Sequence, residues 1–160
     1  MKILFLDCDG VVNCQDTFFR TRGERDDGWA IDPFMALLVA RIVEATDCKI
    51  VLSSSWRHHP DGVKKVEERV WKIMDITPTR PFSFKDRDEC TAKGLSWATL
   101  GERGSEIQAW LDKHPEVERY AILDDDSDML DSQQPNFFKT TWKHGLTEDT
   151  ANKVIKHLNQ

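Results

Sequence analysis

Two acidic side chains follow the first apolar run of the chain. The sequence begins MKILFLDCDG, so Asp7 and Asp9 lie two residues apart, just before Gly10. Where a strand gives way to a glycine turn, one carboxylate can point forward while the chain brings the other towards the same centre. Two such acids suit the binding of a metal ion and a phosphate group. A turn stabilised by an aspartate side chain would account for either residue alone but leaves the pair to coincidence.

Hydroxyl groups and a cation follow a second apolar run. The run Lys49–Ser53 continues through Ser54 to Arg57 in the string SSSWR. A serine hydroxyl and backbone amides at a strand-to-helix turn can bind phosphate oxygens, and a guanidinium can hold two of them at once. A serine that caps a helix beside a surface arginine is the simpler alternative. The segment is a candidate phosphate site in which either Ser53 or Ser54 could be the ligand.

Four acids occupy five positions at the end of a third apolar run, Tyr120–Asp124. They are Asp124, Asp125, Asp126 and Asp128. Neighbouring carboxylates repel one another, so clustering them at the end of a buried strand is costly unless a hard cation such as Mg²⁺ binds there. A solvated acidic loop is the alternative. The pattern favours a magnesium site.

A candidate cation for the phosphate lies between the second and third of these segments. Arg103 stands at the start of an amphipathic stretch whose apolar residues include Ile107 and Trp110. A guanidinium at this position could neutralise both Asp7 and an incoming phosphate. Lys93 competes with Arg103 for the same role.

The elements that carry these residues follow from the apolar pattern. Short continuous apolar runs predict four strands buried on both faces, over Lys2–Asp7, Lys49–Ser53, Tyr120–Asp124 and Phe137–Thr141. Apolar residues at three-to-four spacing predict helices around Phe34–Ala45, Val63–Met74, Ile107–Leu111 and Ala151–Leu158. Strands that alternate with helices imply an α/β fold with an open, doubly wound, Rossmann-like and mainly parallel sheet, covered by helices on both faces. Ligands bind such sheets beyond the carboxyl ends of the strands, where Asp7, Ser53 and Asp124 stand.

Two stretches lack a regular period. Asn13–Gly28 is rich in charge, and Thr77–Gly101 contains two prolines and a glycine within it. We expect both to be loops around the site, and neither is long enough to form a large cap domain. The 160 residues predict a single domain, 1–160, with an open site.

Composition excludes several classes of protein. A net charge of -6 argues against a broad basic surface for nucleic acid, although a local group of cations can still hold one phosphate. No apolar run is long enough to span a bilayer, and the first is too short for a signal peptide, so we expect a cytoplasmic protein with no membrane partner. The four cysteines have no Cys-x-x-Cys spacing, which favours free thiols over a redox or zinc site.

Together, these segments resemble the four ordered motifs of the haloacid dehalogenase (HAD) superfamily. The string Asp-Cys-Asp-Gly-Val that begins at Asp7 is similar to the first motif, and Ser53 or Ser54 to the second. Arg103 is similar to the third motif, which more often uses lysine, and the pair that begins at Asp124 to the fourth. The strings Ser-Ser-Trp-Arg, Arg-Gly-x-Glu-Ile-x-x-Trp-Leu and Ile-Leu-Asp-Asp resemble a group within it that is linked to RNA repair and polynucleotide-end phosphatases.

The resemblance implies a phosphatase that forms an aspartyl-phosphate. It implies that Asp7 attacks phosphorus and that Asp9 protonates the leaving oxygen, then activates the water that hydrolyses the intermediate. It also implies that Mg²⁺ is the cofactor. The implied metal ligands are Asp7, the backbone carbonyl of Asp9, and Asp125, with Asp124 as a further or outer ligand. The implied phosphate ligands are Ser53 or Ser54, Arg57 and Arg103.

The implied partner is a phosphorylated substrate, and an open site favours a phosphate at the end of a nucleotide or nucleic acid. A general phosphatase of small metabolites or phosphoproteins would use the same chemistry, and a non-catalytic phosphate-sensing or partner-binding module could keep the same fold. Aromatic residues near the site could stack on a base, although core packing is their commoner role. The candidates are Trp29, Trp56, Trp97, Trp142, His58 and His59.

Overall fold

The structure, a computed structural model, describes residues 1–20, 30–79 and 102–160. Its strands are β1 Lys2–Leu6, β2 Lys49–Leu52, β3 Ile73–Ile76, β4 Arg119–Asp124 and β5 Phe137–Lys139. Its α-helices are α1 Gln15–Arg20, α2 Pro33–Thr46, α3 Pro60–Arg69, α4 Glu102–Leu111 and α5 Glu148–Leu158. Short 3₁₀ turns cover Ser55–His58 and Asp131–Asn136.

The five strands form one parallel sheet in the order β3-β2-β1-β4-β5. This confirms the predicted α/β, doubly wound, Rossmann-like architecture. From β1 the chain adds β2 and β3 on one side, then returns to add β4 and β5 on the other. The order therefore reverses beside β1, which is where such sheets bind ligands.

The register aligns the carboxyl ends of the three central strands. Leu6 is paired with Leu52 on one side and with Leu123 on the other. The ladder continues one residue further, since Asp7 N donates to Leu123 O at 3.0 Å and Ser53 N donates to Leu6 O at 2.8 Å. The polar residues that end these strands consequently lie at one level of the same edge.

The sheet is buried on both faces because β1 alternates between two cores. Leu4 and Leu6 pack with α2, α3 and α5, whereas Ile3 and Phe5 pack with Ile107 and the other apolar residues of α4. These four side chains of β1 are fully buried, whereas Lys2 at its start is half-buried. A strand covered on both sides reads as a continuous apolar run, which is the pattern that predicted it.

Two features of the fold differ from the sequence prediction. The helix predicted over Val63–Met74 ends at Arg69 as α3, and Met74 lies in the edge strand β3, which pairs with β2. Met74 is 41% exposed, so β3 lacks the continuous apolar run of a central strand. Part of the predicted loop Asn13–Gly28 forms the short helix α1. Most of the predicted loop Thr77–Gly101 lies outside the described residues.

Two further features of the described residues concern membrane spans and cysteines. None of their helices is long and apolar enough to cross a membrane. Cys8, Cys14 and Cys48 are free and buried, as predicted, whereas Cys90 lies outside the described ranges. Burial raises the pKa of the Cys8 thiol well above its usual value, which keeps this thiol protonated.

We expect Gly104→Ala to lower the free energy of unfolding by up to about 2 kcal/mol, because an overpacking cost of about 1–3 kcal/mol is partly offset by better helix propensity. An added Cβ would lie 2.6 Å from the backbone nitrogen of Leu130 and 3.0 Å from the backbone oxygen of Asp128. The free-energy cost of this overlap with backbone exceeds the gain in helix propensity, which is about 1 kcal/mol. Urea unfolding measures the change. The control Gln108→Ala, on the same helix, should stay within about 0.5 kcal/mol of wild type, and an equally stable Gly104→Ala would show that residues 128–130 can move away from α4.

Candidate active site

Three carboxylates converge where β1 and β4 end. Asp7 follows β1, Asp124 ends β4 and Asp125 follows it. One oxygen from each of the three side chains lies within 4.8 Å of the other two. Asp7 and Asp124 are buried, at 6% and 1% exposure, and Asp125 is half-buried. The structure thus brings together three residues that sequence assigned to the site.

Burial makes these carboxylates costly to ionise. It raises the pKa of Asp7 to about 6, against the opposing effects of the Arg103 charge and of hydrogen bonds from the Ser54 side chain and the backbone. Burial, followed by the neighbouring Asp7 charge, raises the pKa of Asp124 to about 8. Burial and the charge of Asp126 also raise the pKa of Asp125. Positive charge placed among the three oxygens would reverse these shifts.

A hard divalent cation fits this set of oxygens. Asp124 Oδ2 is buried and accepts no hydrogen bond from the described residues, although Arg103 Nε lies 3.3 Å away. Carboxylate oxygens are the ligands that Mg²⁺ prefers. The donor set Asp7, Asp124 and Asp125 therefore suits Mg²⁺, whereas the carbonyl of Asp9 as a fourth ligand stays a prediction.

Arg103 reaches the buried carboxylates from the start of α4. Its Nη2 lies 3.7 Å from Asp7 Oδ1 and its Nε lies 3.3 Å from Asp124 Oδ2. Nη1 donates to the carbonyl of Ser53. The guanidinium thus links the ends of all three central strands. Lys93, the competing candidate, lies outside the described residues.

The other acids of the fourth motif have different roles. Asp128 Oδ2 accepts a hydrogen bond of 3.0 Å from the backbone nitrogen of Arg103, and the Asp128 carbonyl accepts one of 3.3 Å from Gly104 N. Asp128 therefore caps α4 and fixes the helix that carries Arg103. Asp126 is exposed, and its backbone nitrogen donates to Asp124 Oδ1 at 2.9 Å.

Two neutral donors hold the side chain of Asp9. Asn13 Nδ2 donates to Asp9 Oδ1 at 3.0 Å, and Trp56 Nε1 donates to Asp9 Oδ2 at 2.9 Å. Gly10 N donates to Asn13 Oδ1 at 3.0 Å, which fixes the amide that holds Asp9. Gly10 has a φ of 71°, and the Asp125 side chain occupies the space where a Cβ would lie. Sequence reasoning missed the roles of Asn13 and Trp56. The four-residue spacing between Asp9 and Asn13 was the one local signal that could have predicted a contact between them.

The two candidate serines differ in their surroundings. The Ser54 hydroxyl lies close enough to Asp7 to lower the pKa of that carboxyl group, and its Oγ accepts a hydrogen bond of 3.4 Å from Trp56 N. Ser53 Oγ is buried and has no hydrogen-bond partner among the described residues. Ser54 is therefore the serine whose hydroxyl contacts the carboxylate that follows β1.

Arg57 is held by protein groups in this structure. Its Nη2 lies 2.6 Å from Glu106 Oε2 in a buried ion pair, and its Nη1 donates to Ser54 O at 2.7 Å. Burial lowers the pKa of Arg57, against the opposing charge of Glu106. The pair ties the loop after β2 to α4. A phosphate-binding role for Arg57 stays a prediction, and sequence reasoning missed Glu106.

We expect the metal-free protein to lose stability as pH rises, and Mg²⁺ to restore it. The pKa values of Asp7 and Asp124 rise from 3.8 to about 6 and about 8 on folding. Their contribution to stability is therefore complete below pH 3.8 and is lost as pH rises through those two values. Mg²⁺ binds ionised carboxylates, so its stabilising effect grows over the same range, to about 2.7 kcal/mol at 100 times Kd. Thermal unfolding at several pH values, with and without Mg²⁺, measures both effects.

Two conservative variants control for binding elsewhere. Asp125→Asn removes one of the three converging carboxylates and should abolish the gain from Mg²⁺. Asp126→Asn changes the exposed acid next to it and should leave the gain intact. Equal gains in wild type and Asp125→Asn would place the ion at another site.

Comparison with known proteins identifies the family that this arrangement belongs to. Over residues 3–151 the chain matches the family described as the HAD domain in Swiss Army Knife RNA repair proteins. No significant match was found among curated proteins or solved structures. The family match covers most of the chain, and the converging carboxylates agree with the metal site that HAD enzymes generally use. The chain belongs to this family and is a HAD-type phosphatase.

Proposed function

We propose that this phosphatase hydrolyses a phosphomonoester at the end of a nucleotide or nucleic acid, through an aspartyl-phosphate on Asp7. The observation that carries the proposal is the position of Asp7. This carboxylate is buried at the switch point of the sheet, with Arg103 at ion-pair distance and the Ser54 hydroxyl close enough to lower its pKa. Asp9, held by two donors, follows two residues later.

In the first half-reaction, an Asp7 carboxylate oxygen forms a bond to phosphorus. The ester bond between phosphorus and the leaving oxygen breaks, and that oxygen takes a proton from the Asp9 carboxyl group. Arg103 lies within ion-pair distance of Asp7, so it can stabilise the negative charge that collects on the phosphoryl oxygens. We assign Ser54 as the hydroxyl that hydrogen-bonds the phosphate, because it already contacts Asp7.

In the second half-reaction, water replaces Asp7 on phosphorus. Asp9, now ionised, takes a proton from the attacking water, and the bond between phosphorus and the Asp7 oxygen breaks. Inorganic phosphate leaves, and Asp9 has regained its proton. The hydrogen bonds from Asn13 and Trp56 keep Asp9 in one orientation for both transfers.

Mg²⁺, bound by Asp7, Asp124, Asp125 and the Asp9 carbonyl, would neutralise the phosphate and make ionisation of the nucleophile favourable. Arg103 also neutralises negative charge at the site without the ion, and Asp128 positions Arg103. Asp128 fixes the start of α4, and α4 presents the Arg103 guanidinium to both buried carboxylates.

Two observations support a nucleic-acid end as the substrate. The family that the chain belongs to is described by its occurrence in RNA repair proteins. The catalytic carboxylates also stand at an edge of the sheet, where the ends of the central strands meet. A terminal phosphate can reach such a position while the rest of a polymer stays outside.

We expect Asp7→Asn to abolish Mg²⁺-dependent release of p-nitrophenol from p-nitrophenyl phosphate. The amide keeps the shape of the carboxylate but lacks the charge and nucleophilicity needed for attack. Asp126→Asn, a matched change at an exposed acid, should retain wild-type rates. Equal, slow release by wild type and Asp7→Asn would contradict the catalytic proposal.

We expect Asp9→Asn to lower kcat by about 10² to 10⁴ with a smaller change in KM. Proton transfer is needed only in the transition state, so its loss does not weaken substrate binding to the same degree. Steady-state kinetics on p-nitrophenyl phosphate measure both constants. A variant that binds poorly but keeps its rate at saturation would disprove the role of Asp9.

We expect Trp56→Phe to lower kcat roughly 10-fold, the effect of losing a hydrogen bond to a charged group. The change should have little effect in the Asp9→Asn background, because the two residues act through one carboxylate. Trp110→Phe is a matched control, since Trp110 is also buried and its Nε1 donates to Asp75 Oδ2 at 2.7 Å. Equal losses in both tryptophan variants would indicate a structural effect.

A substrate panel tests the proposed class. The panel contains 3′-phosphorylated oligonucleotides, 5′-phosphorylated oligonucleotides, mononucleotides, sugar phosphates and a phosphopeptide. We expect the highest kcat/KM for one of the oligonucleotide ends. Equal rates across the panel, or a preference for sugar phosphates or phosphopeptides, would exclude a nucleic-acid end.

A further inference from the structure

Residues 139–144, which we call the basic turn, form a cationic and aromatic surface on an acidic protein. Their sequence is KTTWKH, with no acid, in a chain of net charge -6. Trp142 is 44% exposed, and Lys139, Lys143 and His144 are exposed beside it. An exposed indole among cations has the composition that binds bases and phosphates of a single strand.

The basic turn is attached to the active site at both ends. Thr140 N donates to Asp124 O at 2.9 Å, and Leu146 N, just beyond the turn, donates to Val11 O at 2.9 Å. Asp124 is one of the converging carboxylates, and Val11 follows the Asp9-Gly10 turn. Trp142 comes two residues after Thr140, and two residues span at most about 7 Å. Trp142 therefore flanks the site rather than lying across the molecule from it.

A second aromatic side chain supports the indole. The rings of Phe18 and Trp142 lie 5.0 Å apart between centroids, with 38° between their planes. Gln15 N donates to Trp142 O at 2.9 Å, which joins the start of α1 to the turn. Phe19, the next residue of α1, is 62% exposed. An exposed indole held in this way loses little conformational entropy when a flat ligand binds to it.

The two lysines of the turn have different surroundings. The Lys139 amine donates to Ser127 Oγ, which lies two residues after Asp125, so Lys139 lies on the side of the turn next to the site. Lys143 follows Trp142 in sequence and is exposed. A small phosphate ester that ends at the catalytic site has no group to place against Lys143. A strand that continues past its terminal phosphate has both a base and further phosphates.

We propose that the basic turn binds the single-stranded nucleic acid whose terminal phosphate enters the active site. A base near the end stacks on Trp142, and a backbone phosphate pairs with Lys143. The inference rests on the proposed function and extends it, because it assigns a place on this chain to the polymer beyond its reacting phosphate.

Direct binding tests the surface apart from catalysis. The probe is a fluorescein-labelled single-stranded oligonucleotide of about eight nucleotides with a terminal phosphate, bound to Asp7→Asn and followed by anisotropy. We expect Trp142→Ala in that background to raise Kd about 5- to 100-fold, the range for loss of one base stack, and Trp142→Phe to retain most of the affinity. Lys143→Ala should reduce the salt dependence of Kd by about one unit of slope.

Matched controls lie in or beside β3, the outermost strand on the other side of the sheet from β5. Met74→Ala, in β3, removes an apolar side chain of similar exposure, and Lys72→Ala removes an exposed cation beside it. Neither should change Kd. Unchanged binding in Trp142→Ala, or equal losses in Trp142→Ala and Met74→Ala, would overturn the proposal. Tighter binding of a phosphopeptide than of the oligonucleotide would also overturn it.

Turnover separates failure of the surface from failure of the proposed function. With Asp7 intact, Trp142→Ala should hydrolyse p-nitrophenyl phosphate within about twofold of wild type and lose kcat/KM only on oligonucleotides. Equal losses on both substrates would show a structural role and overturn the surface. If oligonucleotides are good substrates and Trp142→Ala is unimpaired on them, the surface is wrong and the proposed function stands. If wild type hydrolyses neither substrate, the proposed function fails, and Trp142-dependent binding to Asp7→Asn still decides the surface.

Discussion

The burial of Asp7 and Asp124 side by side is the constraint on which the site depends. Each ionised carboxylate loses water and faces the other, which raises their pKa values to about 6 and about 8. Among the described residues, the Arg103 guanidinium contacts both. One monovalent cation does not balance the acids Asp7, Asp124 and Asp125, so the site favours a divalent ion.

The Arg103 guanidinium is positioned by contacts from distant parts of the chain. Arg103 lies on α4, whose start is capped by Asp128 from the loop after β4. The loop after β2 is joined to the same helix through the buried Arg57–Glu106 ion pair. Removing one partner of a buried pair leaves an uncompensated charge, so these contacts fix α4 strongly against the sheet edge. The position of the guanidinium relative to both carboxylates follows from that fixed helix.

The side chain of Asp9 is held by neutral donors, whereas Asp7 and Asp124 lie beside the charged Arg103 guanidinium. Its two oxygens accept from the neutral groups of Asn13 and Trp56, and it lies outside the set of three converging carboxylates. In the proposed mechanism Asp9 transfers protons, and that role depends on the fixed direction that these two donors give its side chain. Gly10 makes this separation possible, because its positive φ turns the chain and its missing Cβ leaves room for Asp125.

Much of the fold could be predicted from the sequence, and the exceptions have a common cause. The predicted strands β1, β2 and β4 are present because strands buried on both faces are continuous apolar runs, and β5 is present as a partly buried edge strand. Strand β3, at the other side of the sheet, escaped prediction because Asp75 interrupts its apolar residues and Met74 and Ile76 are each 41% exposed. Its conformation is set by pairing with β2 rather than by its own pattern. The short helix α1 carries too few residues to show a period.

The sequence by itself determined the order of the site residues and the strand ends at which Asp7, Ser53 and Asp124 stand. That information is local, since it lies in apolar runs and the polar residues that end them. Only the tertiary structure decided which group each side chain contacts. Trp56 reaches Asp9 across 47 positions of sequence, and Arg57 reaches Glu106 across 49. The first pair forms because parallel pairing brings the ends of β1 and β2 together, and the second because α4 packs beside those ends, which are contacts between segments that no local pattern records.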